Sequence, residues 1–160
     1  MTIAVGDRLP DVEVQVPGPS GPQRARSAEL LGTGKVVLFG VPGAFTPTCS
    51  DYHLPGFVLR AEDLRAKGVD TIACMAVNDA FVMAAWGDAR EVGDSVRLVA
   101  DGSADLTRAL GLELDLSGGG LGLRCQRFAM ILEDGVVRDL AVEAGSGLGV
   151  STADAVLAKL

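Results

Sequence analysis

Cys49 stands in the stretch PGAFTPTCS, three residues after Thr46 and two after Pro47, just ahead of apolar residues at helical spacing. Thr46 suits an N-cap and Pro47 the first helical position, which puts Cys49 in the first turn of a helix. Free backbone N–H groups and the helix macrodipole favour an anion there, and the thiolate is the nucleophilic form of cysteine. The same residues also describe an inert cysteine buried beside a capped helix. His53 follows one helical turn later, where it could serve as a base or simply pack and hydrogen-bond. A base is unnecessary if the thiolate is already formed.

The elements that must position these residues show in the hydrophobic pattern. The runs KVVLFGV (35–41) and DTIACMAV (70–77) are near-continuous and apolar, as in central strands covered on both faces. Between them Leu54, Phe57, Val58, Ala61 and Leu64 fall at helical spacing, and Lys67-Gly68 closes that helix. Pro55 inside it predicts a kink near Asp51, because its ring clashes with the preceding turn. DVEVQV (11–16) reads as a half-buried strand followed by a turn-rich loop, VPGPSGP. A helix is predicted from about Asp79 to Glu91, where Trp86 reads as core or interface, then the strand VRLVAD and a short helix over 105–110. GLELDLSGGGLG is expected to be a loop, and QRFAMILEDGVVRDLAVE two strands joined by an Asp134-Gly135 turn. Ser151 with Asp154 marks a capped start for the last helix. The order predicts an α/β protein, a mixed sheet flanked by helices in one domain over 1–160, a pattern that suits a thioredoxin-like fold among others.

Composition narrows the function. The chain is 48% hydrophobic with no apolar run of membrane-spanning length, and it opens without a signal pattern, so a soluble, cytoplasmic protein is expected. A net charge of −7 with no basic stripe argues against nucleic acid as a partner. Cys49, Cys74 and Cys125 are odd in number and widely spaced, which suits neither a disulfide framework nor a zinc site. The glycine-rich stretches GTGKVV and GSGLG lack the rest of a nucleotide-binding motif and read as loops.

PGAFTPTCS matches the P-x-x-x-T-x-x-C pattern of peroxiredoxins, and KVVLFGVPGAFTPTCSDYHLPGF, ACMAVNDAFVMAAWG and RFAMILEDGVV resemble the type II (atypical) branch of that family. The likeness covers roughly Gly6 to Leu160. It implies that Cys49 is the peroxidatic nucleophile, that Thr46 hydrogen-bonds the peroxide, that Pro42 shields the thiolate and that Arg127 completes the pocket. Arg124 also precedes the FAM strand and is assigned a supporting role. The implied activity is reduction of hydrogen peroxide or an alkyl hydroperoxide through a cysteine sulfenic acid. The implied reductant is glutaredoxin with glutathione, with thioredoxin second; a homodimer and no metal or organic cofactor are also implied. A peroxide sensor using the same cysteine, or a non-catalytic thioredoxin-fold module, are the alternatives.

Activation of the sulfur alone would not suffice for fast chemistry. Lowering a thiol pKa from about 8.5 to about 6 raises the thiolate fraction at pH 7 roughly 30-fold, but a Brønsted slope of about 0.4–0.5, carried over from thiol–disulfide exchange, returns roughly tenfold. Donors aimed at the breaking O–O bond must supply the rest. The chain also departs from those type II members that carry a second cysteine in the loop before the last helix: Val150 and Ser151 stand there. Cys74, on a strand buried on both faces, is expected to be inert. Cys125 would share a face with Arg127 if the strand already runs at residue 125.

Overall fold

The computed structural model describes residues 1–145 and 147–160; Ser146, within the GSGLG stretch, lies outside the described residues. Seven strands form one sheet: β1 (Glu13–Gly18), β2 (Gly21–Arg26), β3 (Lys35–Gly40), β4 (Thr71–Ala76), β5 (Arg97–Ala100), β8 (Phe128–Glu133) and β9 (Val136–Val142), in the order β2-β1-β5-β4-β3-β8-β9. The apolar runs predicted as central strands are the parallel centre, β3 with β4 and β4 with β5, and the other pairings are antiparallel. A separate two-stranded ribbon joins β6 (Glu113–Leu116) to β7 (Gly122–Cys125).

The sheet separates two cores. Val37, Phe39, Ile72, Cys74, Ala129 and Ile131 face one side, where α2 (Leu54–Leu59), α3 (Ala61–Ala66), α4 (Ala80–Ala89) and α6 (Ala153–Leu157) cover them. Val36, Leu38, Ala73, Met75, Phe128 and Met130 face the other, under α1 (Ser27–Leu31) and α5 (Asp105–Leu110). Odd and even residues of β3 and β8 thus divide between the cores, as the two-residue period of a strand requires. No helix among the described residues is long and apolar enough to cross a membrane.

Four expectations need correction. VPGPSGP is not a loop: β1 runs through Pro17 and Gly18 and turns directly into β2, with Pro17 opposite Pro22. Two facing prolines have no N–H to exchange, so they fit a non-hydrogen-bonded pair of a ribbon at the sheet margin. The segment after α5 is likewise not a loop, because the Glu-Leu-Asp-Leu alternation of residues 113–116 pairs with residues 122–125, and Gly120 and Gly122 take positive φ between them. The predicted helix over 54–66 is interrupted at Arg60, dividing into α2 and α3. The last helix is capped by Thr152, which accepts from the Ala155 N–H at 3.0 Å, rather than by Ser151. The Asp134-Gly135 turn is as expected, both residues having positive φ.

Gly40 closes β3 where the chain enters the Cys49 segment, and it pairs with Phe128. A Cβ at Gly40 would stand 2.7 Å from Phe128 Cδ1 and 3.0 Å from Cys125 Sγ, so the ring must move. Gly40→Ala is expected to cost about 1–3 kcal/mol, lowering Tm by several degrees. Thermal unfolding of the variant checks this, and an unchanged Tm would show that the Phe128 ring yields freely.

Candidate active site

The chain leaves β3 at Val41 and reaches Cys49 through a tight turn in which Phe45 adopts φ 65°. A left-handed, non-glycine residue costs roughly 1–2 kcal/mol. Asn78, just after β4, holds the turn through a 2.9 Å bond from the Ala44 N–H to its Oδ1. Pro47 opens the helix, and the first helical bond runs from the Ser50 N–H to the Thr46 carbonyl at 2.9 Å. The N–H groups of Thr48 and Cys49 lie ahead of it, where a helix offers free donors. Thr46 occupies the N-cap position as expected, but its hydroxyl donates to Gly43 O at 2.7 Å instead of capping the N–H groups. Its lone pairs remain open to another donor.

Residues Cys49–His53 then form a π-helical turn that runs into α2, the Leu54 N–H reaching back five residues to Cys49 O. Pro55 accounts for it: the missing N–H leaves the Asp51 carbonyl without its α-helical donor, and the ring crowds that carbonyl. The distortion lies where the sequence predicts a kink. It brings Cys49 and His53 together into the core beneath the sheet, where both are buried along with Ser50.

Arg127, between β7 and β8, reaches into the same place and is 6% exposed. Its Nη2 donates to Cys49 Sγ at 3.1 Å, and its Nη1 lies 2.9 Å from His53 Nδ1. His53 Nε2 is 2.8 Å from Ser151 O. A guanidinium cannot accept and a carbonyl cannot donate, so His53 is neutral, with its proton on Nε2 and a lone pair on Nδ1. Burial lowers its pKa from 6.5 to about 4, with Arg127 adding to the shift and the Ser151 hydrogen bond and Glu143 opposing it. Both ring nitrogens are engaged, so His53 has no free site with which to take a proton from Cys49. Phe39 and Phe57, stacked 4.0 Å apart, enclose the imidazole at 4.9 and 5.6 Å.

Pro42, Thr46 and Arg127 line one cavity of about 620 Å³, with Pro47 and Thr48 beside them and Leu114, Leu116 and Leu121 from the β6–β7 ribbon. Cys49 is fully buried next to this wall. Of the residues singled out in the sequence, Pro42, Thr46 and Arg127 thus share one cavity, and Arg127 connects it to the Cys49 sulfur. Arg124 does not reach the sulfur: it donates from Nε to Leu121 O at 2.8 Å and from Nη1 to Pro42 O at 3.4 Å, tying the ribbon to the Pro42 turn. Among the described residues, no group of three or more His, Cys, Asp and Glu side chains could hold a metal ion.

The Redoxin family model matches residues 4–157. Peroxiredoxin-2B of Arabidopsis thaliana is 50% identical over 99% of this chain and 98% of its own. The chain belongs to the type II peroxiredoxin family. The structure of reduced Prx3 from Vibrio vulnificus in complex with hydrogen peroxide superposes with a TM-score of 0.94 at 50% identity, covering 99% of each chain. A Burkholderia cenocepacia protein provisionally named a thioredoxin reductase gives 0.97 at 48%, covering 100% of this chain and 99% of that one. The fold is the thioredoxin-like fold of peroxiredoxins, and the protein is a thiol peroxidase.

The other cysteines of this peroxiredoxin are placed differently. Cys74 is fully buried in the Cys49 core, and desolvation holds its thiol well above the usual range. Cys125 ends β7, and the break at Gln126 and Arg127 before β8 turns it into the opposite core. It does not share a face with Arg127, because the alternation assumed a continuous strand. Burial pushes its thiol up too. Trp86 is core, and its indole Nε1 donates to Ser50 Oγ at 2.9 Å, one residue from Cys49.

Sequence patterns gave no sign of Glu143. Its Oε2 accepts from the N–H groups of Gly149, Val150 and Ser151 at 2.8–2.9 Å and from Ser151 Oγ at 2.7 Å, bonds that hold its carboxyl below the ordinary range despite opposing desolvation. The pattern of Glu143 in the sequence is that of any strand-end carboxylate, and its partners are apparent only once β9 turns back.

His53 gives a stability prediction with a definite sign. Above pH 6.5 it is neutral folded or unfolded; between 6.5 and about 4 the unfolded chain takes up a proton that the folded protein refuses. Stability therefore falls as pH drops through that window and levels off below it, by roughly 3 kcal/mol in all. Between pH 7 and pH 5 the wild type should lose about 2 kcal/mol more than His53→Asn in urea unfolding. Parallel pH curves would show that His53 is not held neutral.

Proposed function

We propose that this type II peroxiredoxin works with one cysteine: Cys49 attacks the peroxide, and an external thiol restores it. The observation that carries the reading is the buried Arg127 guanidinium in contact with Cys49 Sγ beside a cavity lined by Thr46. Guanidinium and helix N-terminus stabilise a thiolate there against the opposing cost of burial. The thiolate attacks the near oxygen, an S–O bond forms and the O–O bond breaks. Sulfur is oxidised by two electrons to the sulfenic acid, and the departing oxygen takes a proton to leave as water or alcohol. Thr46 Oγ, its own proton engaged by Gly43, accepts from the peroxide hydroxyl. Arg127 stabilises charge on the leaving oxygen; its Nε has no acceptor among the described residues, so that nitrogen's N–H is uncommitted. Pro42 shields the sulfur from water.

The leucines of the β6–β7 ribbon give the cavity an apolar wall, which suits an alkyl tail and extends the substrates from hydrogen peroxide to alkyl hydroperoxides. A glutathione thiol then displaces water from the sulfenic sulfur to give a mixed disulfide, and glutaredoxin thiolate attacks that disulfide, with thioredoxin the second choice. Neither Cys74 nor Cys125 is exposed to compete. Three free thiols suit a reducing compartment such as the cytoplasm. A homodimer belongs to the same proposal: Phe45, Tyr52, Leu59 and Phe81 are more than half exposed, and a second copy would cover them. Sedimentation finding only monomer at micromolar concentration would remove it.

Cys49→Ser should fall below about a tenth of wild-type peroxide reduction with the fold intact. Arg127→Lys should slow Cys49 oxidation about 10- to 100-fold, because an ammonium lacks the planar fork, whereas Arg124→Lys should change it little. Stopped-flow oxidation of the three variants side by side decides; a normal Arg127→Lys beside a slow Arg124→Lys would reverse the assignment of the arginines.

One equivalent of peroxide should leave Cys49 as a sulfenic acid trappable by dimedone, and glutathione present from the start should be captured there as a mixed disulfide. Peptide mass spectrometry reads the product. Near-quantitative disulfide from Cys49 to Cys74 or Cys125 would overturn the one-cysteine reading.

A further inference from the structure

A guanidinium on a long side chain has many rotamers, and only one geometry puts a donor on Cys49 Sγ. Direct contact with the sulfur uses Nη2 alone, which leaves the plane of the group free to turn about that bond. The second restraint comes from His53 Nδ1, which lies 2.9 Å from Nη1. It can accept there only while the ring is neutral and its proton sits on Nε2. The Ser151 carbonyl at 2.8 Å enforces that tautomer. The carbonyl is itself held in place, because the N–H groups of Gly149, Val150 and Ser151 and the Ser151 hydroxyl all converge on Glu143 Oε2. The circuit closes on the arginine: the Glu143 N–H donates to Arg127 O at 2.9 Å.

We propose that His53 is a positioning residue, aiming the Arg127 guanidinium at Cys49, and that Glu143 acts behind it by seating the Ser151 carbonyl that fixes the imidazole tautomer. This rests on the assignment of Cys49 and Arg127 to the peroxide step. The charged groups that bear on the imidazole are Arg127 on one side and Glu143 on the other, and the rings of Phe39 and Phe57 fill the remaining space. Fixing a tautomer by the hydrogen bond on the far ring nitrogen is the device by which histidine is oriented at many sites. Here what it orients is a neighbouring cation. The loop before α6, far from Cys49 in sequence, thereby bears on the rate at the sulfur without touching it.

The test compares two amides. His53→Asn puts a carbonyl oxygen near the position of Nδ1 and keeps an acceptor for Arg127; His53→Gln puts its amide near Nε2, keeping the tie to Ser151 and losing that acceptor. The second-order rate of Cys49 oxidation by hydrogen peroxide is followed by the fluorescence of Trp86, the sole tryptophan, bonded to Ser50 beside the reacting sulfur. Thermal unfolding is measured in parallel. His53→Gln should be slower by about tenfold or more, His53→Asn should stay within about threefold of wild type, and Glu143→Gln should be slowed about threefold. Equal losses in the two histidine variants, a faster Gln than Asn, or no loss in either would overturn the positioning role. A base acting on Cys49 would lose its function equally in both. Where the histidine variants fail to fold, Glu143→Gln carries the test, and a folded Glu143→Gln with a normal rate would overturn it. Arg127→Lys in the same series separates the two levels of the argument: a normal rate there removes the underlying assignment, whereas a slow Arg127→Lys beside a normal His53→Gln removes the relay alone.

Discussion

A cation buried against a sulfur is the constraint on which the rest of this structure depends. Arg127 is almost wholly withdrawn from water, and an isolated buried guanidinium would cost several kcal/mol. It is tolerated because two of its three nitrogens are met, Nη2 by the Cys49 sulfur and Nη1 by the neutral imidazole of His53, while Nε has no acceptor among the described residues and the cavity lies along the edge of the group. In the proposed reaction a thiolate at Cys49 would face this guanidinium, each charge offsetting part of the cost of burying the other.

The same constraint explains the irregular backbone around the site. A regular helix from Pro47 onward would carry Pro55 against the Asp51 carbonyl, and the π turn over Cys49–His53 relieves that clash while turning sulfur and imidazole to the same arginine. Phe45 in the left-handed region and the Asn78 bond to Ala44 set the angle at which the segment arrives. Local strain is held by surrounding packing, as expected where geometry rather than stability is being fixed. The cost of this closure is access. Cys49 has no exposed surface, so in the proposed cycle a small peroxide entering the cavity has a short approach, whereas a protein thiol could meet a sulfenic sulfur only if the turn opened. A π turn with a proline behind it has fewer backbone bonds to break than a regular helix.

Much of the fold was legible in the sequence because it is written in local patterns. The apolar runs became the parallel centre of the sheet, the 105–110 helix and the Asp134-Gly135 turn stand where expected, and the proline forecast the distortion near Asp51. The misses share a cause. The prolines and glycines of VPGPSGP read as a loop, yet a ribbon at a margin tolerates them where no N–H is owed, and in GLELDLSGGGLG the glycines that do form the turn masked the strand over 113–116 before it. Cys125 was given a face by alternation, and alternation is lost across the break at Gln126 and Arg127. In the site, PGAFTPTCS announced Cys49 and Thr46. The His53 to Ser151 to Glu143 chain gave no such signal, since its partners lie 98 residues apart in one bond and belong to residue types that occur on any surface.

The distribution of the three thiols shows how a sheet can make cysteines unequal without any change in their chemistry. Cys49 and Cys74 share one core and Cys125 lies in the other, so a bond from Cys49 to Cys125 would have to pass the backbone layer of β3 and β8. A disulfide needs Cα atoms within about 7 Å and Cβ vectors turned toward each other, and opposite faces of a sheet turn them apart. Cys74 has no such barrier, but it sits mid-strand between two parallel neighbours, and drawing it toward an opened Cys49 would break ladder bonds on both sides. Burial also keeps both thiols protonated, which removes the nucleophile that a resolving step requires. In the proposed one-cysteine cycle, therefore, neither Cys74 nor Cys125 is placed to resolve a sulfenic acid at Cys49, and the resolving thiol would be one that arrives from outside.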